Sequence, residues 1–162
     1  MVGKKLVIVA THPIQYHTPW YRELSTRPEL EVTVLFGMLP NSEQQSIGFG
    51  TEFSWDIPLT DGYPWQQLEN KAHSPNLSTF KGVDCPDVYH ALKSISPDAV
   101  IITGWHSKLL LQVLWATHRL KIKTIMRGDS NAKKSRPWCI SCLLYTSPSP
   151  RDQRGSRMPS SA

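Results

Sequence analysis

The sequence is poor in the residues that staple a fold, span a bilayer or cradle a phosphate. Three cysteines in 162 residues, Cys85, Cys139 and Cys142, are too few for a disulfide framework, so a reducing, cytoplasmic setting is expected. No apolar run approaches the ~18 residues of a membrane-crossing helix. Met1–Lys5 followed by Leu6–Ala10 imitates the charged and apolar parts of a signal peptide, but the run is too short, and Thr11-His12-Pro13 closes it without a small-residue cleavage pattern. There is no Gly-x-x-x-x-Gly-Lys-Ser/Thr loop, no Gly-x-Gly-x-x-Gly after the first apolar run, and no Gly-x-Ser-x-Gly elbow. Gly48-Phe49-Gly50 falls in an irregular stretch, the wrong context for a dinucleotide loop. These absences argue against an ATPase, an NAD-dependent enzyme and an α/β-hydrolase.

What remains is the composition of one soluble globular domain, 40% hydrophobic and 19% charged, with room for a real core. That average hides a break. Up to about Pro137, strand-like and helix-like stretches alternate, whereas Thr146–Ala162 holds a single large apolar residue, Met158. The segment Cys142–Asp152, CLLYTSPSPRD, resembles a translated sequencing adapter, and Ser156–Ala162, SRMPSSA, resembles the far end of the same adapter. Gln153–Gly155 takes the place of a short index between them. Residues 142–162 are therefore expected to be an adapter-derived, disordered tail without function, and residues 1–141 to be the native part. Setting the tail aside removes Arg151, Arg154, Arg157 and Asp152. Lys plus Arg falls from 18 to 15, Asp plus Glu from 13 to 12, and the net charge from +5 to +3. The basic-tail case for a nucleic-acid partner goes with it, and none is expected.

Lys5–Ala10, KLVIVA, is a continuous apolar run of strand length, as in a parallel sheet buried on both faces. After the loop Thr11–His17, Thr18 as N-cap and Pro19 at the first helical position predict a helix that Pro28 ends. Leu30–Phe36 reads as the second strand. Between Gly37 and Phe80 two short strands, Trp55–Leu59 and Tyr63–Leu68, flank Asp61-Gly62, which predicts a hairpin. Val88, Ala91, Leu92 and Ile95 then fall on one helical face. Ala99–Thr103 is a strand, a helix capped by Ser107 runs to about Leu120, and Lys123–Met126 is the last strand. The expected fold is α/β, a Rossmann-like doubly wound parallel sheet. Such sheets bind ligands beyond the carboxyl ends of their strands, which selects the loops Thr11–His17, Gly104–His106 and Arg127–Asn131.

Those loops hold most of the chain's candidate chemistry. His12 and His17 can exchange protons near neutral pH, and Gln15 can hold a hydroxyl through either half of its amide. The plainer alternative is that these groups satisfy loop backbone. No second cluster completes a four-ligand zinc site, so no metal is expected. His106 lies between a buried strand and a helix N-terminus, which favours an anion, and it either binds a substrate or simply caps the helix. Arg127 and Asp129 form either a loop ion pair or a cleft-facing pair able to bind a sugar hydroxyl or a phosphate. His90 and His118, inside helices, read as surface or boundary residues.

The four segments KLVIVATHPIQYHTPWYREL, FGTEFSWDIPLTDGYPW, DAVIITGWHSK and TIMRGDSN, in that order, together resemble the N-terminal lobe of family-four glycosyltransferases of the GT-B fold. The resemblance covers nearly all of residues 4–135. It implies a lobe that binds the acceptor, with a second Rossmann-like lobe for the nucleotide-sugar donor and sugar transfer with retention. The acceptor would be a glycan or a lipid-linked sugar, and the enzyme would work in the cytoplasm with peripheral contact at the inner membrane face. No bound metal or other cofactor is implied. By position, His12, Gln15, His17, Trp105 and His106 would line the acceptor side of the cleft. Arg127 and Asp129 occupy a loop where many relatives place a His, and no catalytic residue is assigned. Nothing of the donor lobe precedes the adapter-like segment, so the fragment is expected to be inactive, to bind nucleotide-sugar weakly or not at all, and to leave an exposed sheet edge. Two other readings remain open: a GT-B-like sugar-nucleotide epimerase, and a stand-alone flavodoxin-like binding domain without catalysis.

Overall fold

The computed structural model describes residues 3–39 and 58–128. Among them, five strands form one parallel sheet: β1 (Lys4–Ala10), β2 (Leu30–Phe36), β3 (Trp65–Gln67), β4 (Ala99–Ile102) and β5 (Lys123–Met126), in the order β3-β2-β1-β4-β5. The intervening helices are α1 (Thr18–Ser25), α2 (Val88–Ile95) and α3 (Lys108–Leu120). The chain builds outward from β1 to β3, crosses back, and builds outward again through β4 to β5. This is the expected Rossmann-like, doubly wound α/β sheet.

The apolar run of β1 explains its central place. Ile8 sits between Val34 and Ile101, and Val9 between Leu35 and Ile102. Because successive strand residues point to opposite faces, Leu6, Ile8 and Ala10 join Tyr21, Val34, Phe36 and Tyr63 on the face that α1 covers. Val7 and Val9 join Leu35, Val100 and Ile102 on the other, against Val88 and Leu92 of α2 and Leu109, Leu110, Val113 and Ala116 of α3. The end of β2 comes so close to α3 that a Cβ on Gly37 would lie 2.4 Å from Leu109 Cδ2 and 2.5 Å from Val83 Cγ1. β5 ends the strand order with all four residues exposed, Ile125 and Met126 among them.

Several local expectations need correction. The hairpin does not form: Trp65–Gln67 pairs in parallel with Val34–Phe36, and Pro58–Gly62 is not strand. Residues 55–57 lie outside the described residues. The edge of β2 supplies a parallel partner for this segment, so the turn at Asp61-Gly62, where Gly62 has φ +84°, leads into a strand rather than joining two. The stretch before it is tied to α1 instead. Arg22 donates to the carbonyls of Asp61 (2.8 Å) and Pro58 (2.6 Å), while Thr18 and Tyr63 both donate to that of Leu59.

The helix starts also differ. His17, not Thr18, is the N-cap of α1, because the Thr18 hydroxyl is directed at the carbonyls of Ile14 and Leu59. Ser107 is the N-cap of α3 by position, but its hydroxyl reaches Val83 O at 3.4 Å and makes no cap bond. Residues 142–162 lie outside the described residues.

Candidate functional site at the carboxyl edge of the sheet

Strand order reverses between β1 and β4, the switch point beyond whose carboxyl ends doubly wound sheets bind ligands. The first loop begins at Thr11, whose carbonyl accepts Met38 N–H at 2.9 Å. The second begins at Thr103, which binds Val9 O through its N–H at 3.3 Å and its hydroxyl at 3.1 Å. Gly104 follows with φ +127°, a conformation that side chains disfavour, and turns the chain so that His106 Nδ1 would lie 3.1 Å from a Cβ built on that glycine. The third loop starts where Arg127 N–H donates to Ile102 O at 2.9 Å. Backbone bonds between neighbouring strands thus fix all three loop origins at one end of the sheet.

The structure brings together most of the expected site residues. His12 is half-buried and its Nδ1 lies 3.0 Å from Thr11 Oγ1. Burial, reinforced by the nearby His106 and His17, pushes its pKa down to about 4, so the imidazole is neutral at physiological pH. Desolvation lowers His106 as well. His17 is buried in an aromatic setting, with ring centroids 4.6 Å from Tyr16, 5.8 Å from Trp20 and 6.0 Å from Tyr21. Gln15 is half-buried on the same loop. Trp105 comes up beside the third loop, its Nε1 lying 3.9 Å from a Cβ built on Gly128. Arg127 crosses to α1 and places its guanidinium carbon 5.3 Å from the centroid of the Trp20 ring. Asp129 lies outside the described residues, so the expected Arg127–Asp129 pair does. His90 and His118 are exposed on α2 and α3, as read from the sequence.

Trp20 and Tyr21 belong to this site although their spacing reads only as a core-facing stripe. The overlooked signal is their offset from His17: positions three and four residues on lie on the same side of a helix. Tyr21 is fully buried, and neither its hydroxyl nor Trp20 Nε1 has a hydrogen-bond partner among the described residues. Burial, with Tyr63 adding to it, raises the Tyr21 pKa well above its ordinary value.

The chemistry available is that of neutral imidazoles, one guanidinium and aromatic faces. Among the described residues no three His, Cys, Asp or Glu side chains are grouped to hold a metal ion. Cys85 is buried beneath β2 and α3, and burial pushes its thiol up to about 12, which makes it a packing residue rather than a nucleophile. No helix among the described residues is long and apolar enough to cross a membrane. No protein-family model matches the sequence, and no curated protein matches it either.

Proposed function

We propose that this chain is the acceptor-binding lobe of a retaining glycosyltransferase of GT-B architecture, with the nucleotide-sugar donor held by a second lobe encoded beyond it. The parent enzyme works in the cytoplasm, at the inner membrane face when its acceptor is a glycolipid, and uses no metal or other cofactor. The observation that carries this reading is the convergence of His12, His17, Trp105, His106 and Arg127 at the carboxyl edge of a doubly wound sheet.

The residues suit a sugar. A neutral imidazole nitrogen can donate to or accept from a sugar hydroxyl, and His12, held in its neutral form with Nδ1 engaged by Thr11 Oγ1, has Nε2 for that role. The exposed ring of Tyr16, edge-on to His17, offers an apolar face against which a pyranose can lie. Shallow aromatic surface with a few hydrogen-bonding groups is suited to orienting an acceptor rather than enclosing it.

The test is a titration of the 162-residue chain, followed by the NMR signals of its histidine rings and tryptophan indoles. Methyl glycosides should perturb His12, His106 and Trp105, and a nucleotide-sugar should perturb them weakly or not at all. Saturable nucleotide-sugar binding with no response to any glycoside would overturn the assignment.

A further inference from the structure

Among the described residues, the loops of the carboxyl edge carry no acidic side chain. Thr11–His17, Thr103–Ser107 and Arg127–Gly128 contain no Asp or Glu. The first turns of α1 and α3, which open onto this edge, contain none either. The positive ends of both helix dipoles are therefore without an acidic side chain of their own.

Two further observations point to an anionic ligand. Arg127 is exposed, and among the described residues its guanidinium pairs with no carboxylate and rests only on the Trp20 ring. Beside it, Trp20 Nε1 and the wholly buried Tyr21 hydroxyl are donors without an acceptor among the described residues. Buried polar groups are nearly always satisfied, and leaving one unmet costs about 1–3 kcal/mol, so two on adjacent residues beside an unpaired cation form a coherent set. Stacking on the indole holds the guanidinium in place with its N–H fork available, the arrangement that recognises phosphate oxygens in bidentate fashion. A phosphate presents acceptor oxygens beyond a carboxylate's pair, so it can meet the fork and a helix N-terminus together.

We infer that the Arg127–Trp20 stack, with Tyr21 beside it, is a phosphate-binding site at the carboxyl edge. The identity of the ligand that carries the phosphate rests on the glycosyl-transfer reading: either the acceptor is a phosphorylated or phosphate-linked sugar, or the phosphate belongs to the donor.

The experiment titrates inorganic phosphate into the full chain, with sodium chloride at matched ionic strength as control. It follows the Trp20 indole N–H and the Arg127 Nε–H. Phosphate should shift both saturably. Arg127→Gln should weaken binding about tenfold or more, and Arg127→Lys should fall between, keeping the charge without the fork. No saturable shift, or unchanged affinity in Arg127→Gln, overturns the site. Two further arms separate the sources: tighter binding of a sugar phosphate than of a nucleoside diphosphate assigns the phosphate to the acceptor, and the reverse assigns it to the donor. Phosphate binding unimproved by any attached sugar or nucleoside would leave the site standing and remove the glycosyl-transfer reading.

Discussion

At the amino end of the sheet, Asp98 accepts the backbone N–H of Lys5 at 2.9 Å and the Lys4 ammonium at 3.3 Å, whereas at the carboxyl end Arg127 lies over Trp20 with no carboxylate partner among the described residues. The contrast extends beyond these two charges. The ends of α2 and α3 at the amino end, together with the starts of β4 and β5, line a groove of about 320 Å³ that includes Lys93, Asp98, Lys121 and Lys123. Lys93 in the last turn of α2, and His118 and Arg119 in the last turn of α3, complement the negative ends of their helices. Both helices stop on left-handed residues, Ser96 and Lys121, whose N–H groups return to the last-turn carbonyls.

The helix starts at the carboxyl end follow none of these rules. No side-chain cap bond forms at α1 or α3, two buried donors lack acceptors among the described residues, and the half-buried His12 is held away from its charged form. The chain satisfies its local rules at one end and departs from them at the other, the end where sheets of this kind bind ligands, as expected when stability is traded for function.

The comparison breaks most visibly at Tyr21, which serves both the packed face and the site. Tyr21→Ala should cost about 3–5 kcal/mol, because it removes a fully buried ring that packs against Trp20, Phe36 and Tyr63. Tyr21→Phe removes only the unpartnered hydroxyl, and should leave stability unchanged or raised while weakening phosphate binding. Urea unfolding of both variants checks the pair: a Tyr21→Phe loss as large as that of Tyr21→Ala would show the hydroxyl to be satisfied in the folded protein.

How much of this was legible in the sequence depended on whether the signal was local. The runs KLVIVA and AVIIT, the helix after Ser107 and the strand Lys123–Met126 carry their own periodicity, and together they imply both the parallel sheet and the three loops beyond it. The direction in which Trp65–Gln67 pairs is not local: it is set by the edge of β2, and an Asp-Gly signal alone cannot report it. Thr18 likewise has the composition of an N-cap, but carbonyls at Ile14 and Leu59 compete for its hydroxyl. His12, His17, Trp105, His106 and Arg127 followed from the carboxyl-end rule. Trp20 and Tyr21 did not, because an aromatic stripe reads as core whether or not a guanidinium later stacks on it.

A smaller effect separates the two ends by pH. The folded-state pKa of His12 is about 4 against an unfolded 6.5, so the unfolded chain takes up the proton first as pH falls. Stability from this residue is full above about pH 6.5, declines between 6.5 and 4, and changes no further below, with a total on the order of 2–3 kcal/mol. His12→Gln should flatten that limb of the stability profile. A profile with the same slope in the variant would remove His12 as its source.

The smallest effect belongs to the amino end and lies in a different window. The backbone N–H of Lys5, aided by the Lys4 ammonium, holds Asp98 below its ordinary carboxylate value. The folded form therefore binds its proton later than the unfolded chain, and the contribution is present above the usual carboxylate pKa and lost as pH falls through the depressed one. The Lys4 side chain is exposed and its ion pair is electrostatic, so that pair should be screened by salt more than the short-range Lys5 N–H bond. Lys4→Ala should thus lower the Tm slightly in dilute buffer and not at all in 1 M sodium chloride, whereas Asp98→Ala should keep a small deficit in both. Equal salt sensitivity of the two variants would mean that the backbone bond adds nothing and that Asp98 acts through the Lys4 ion pair alone.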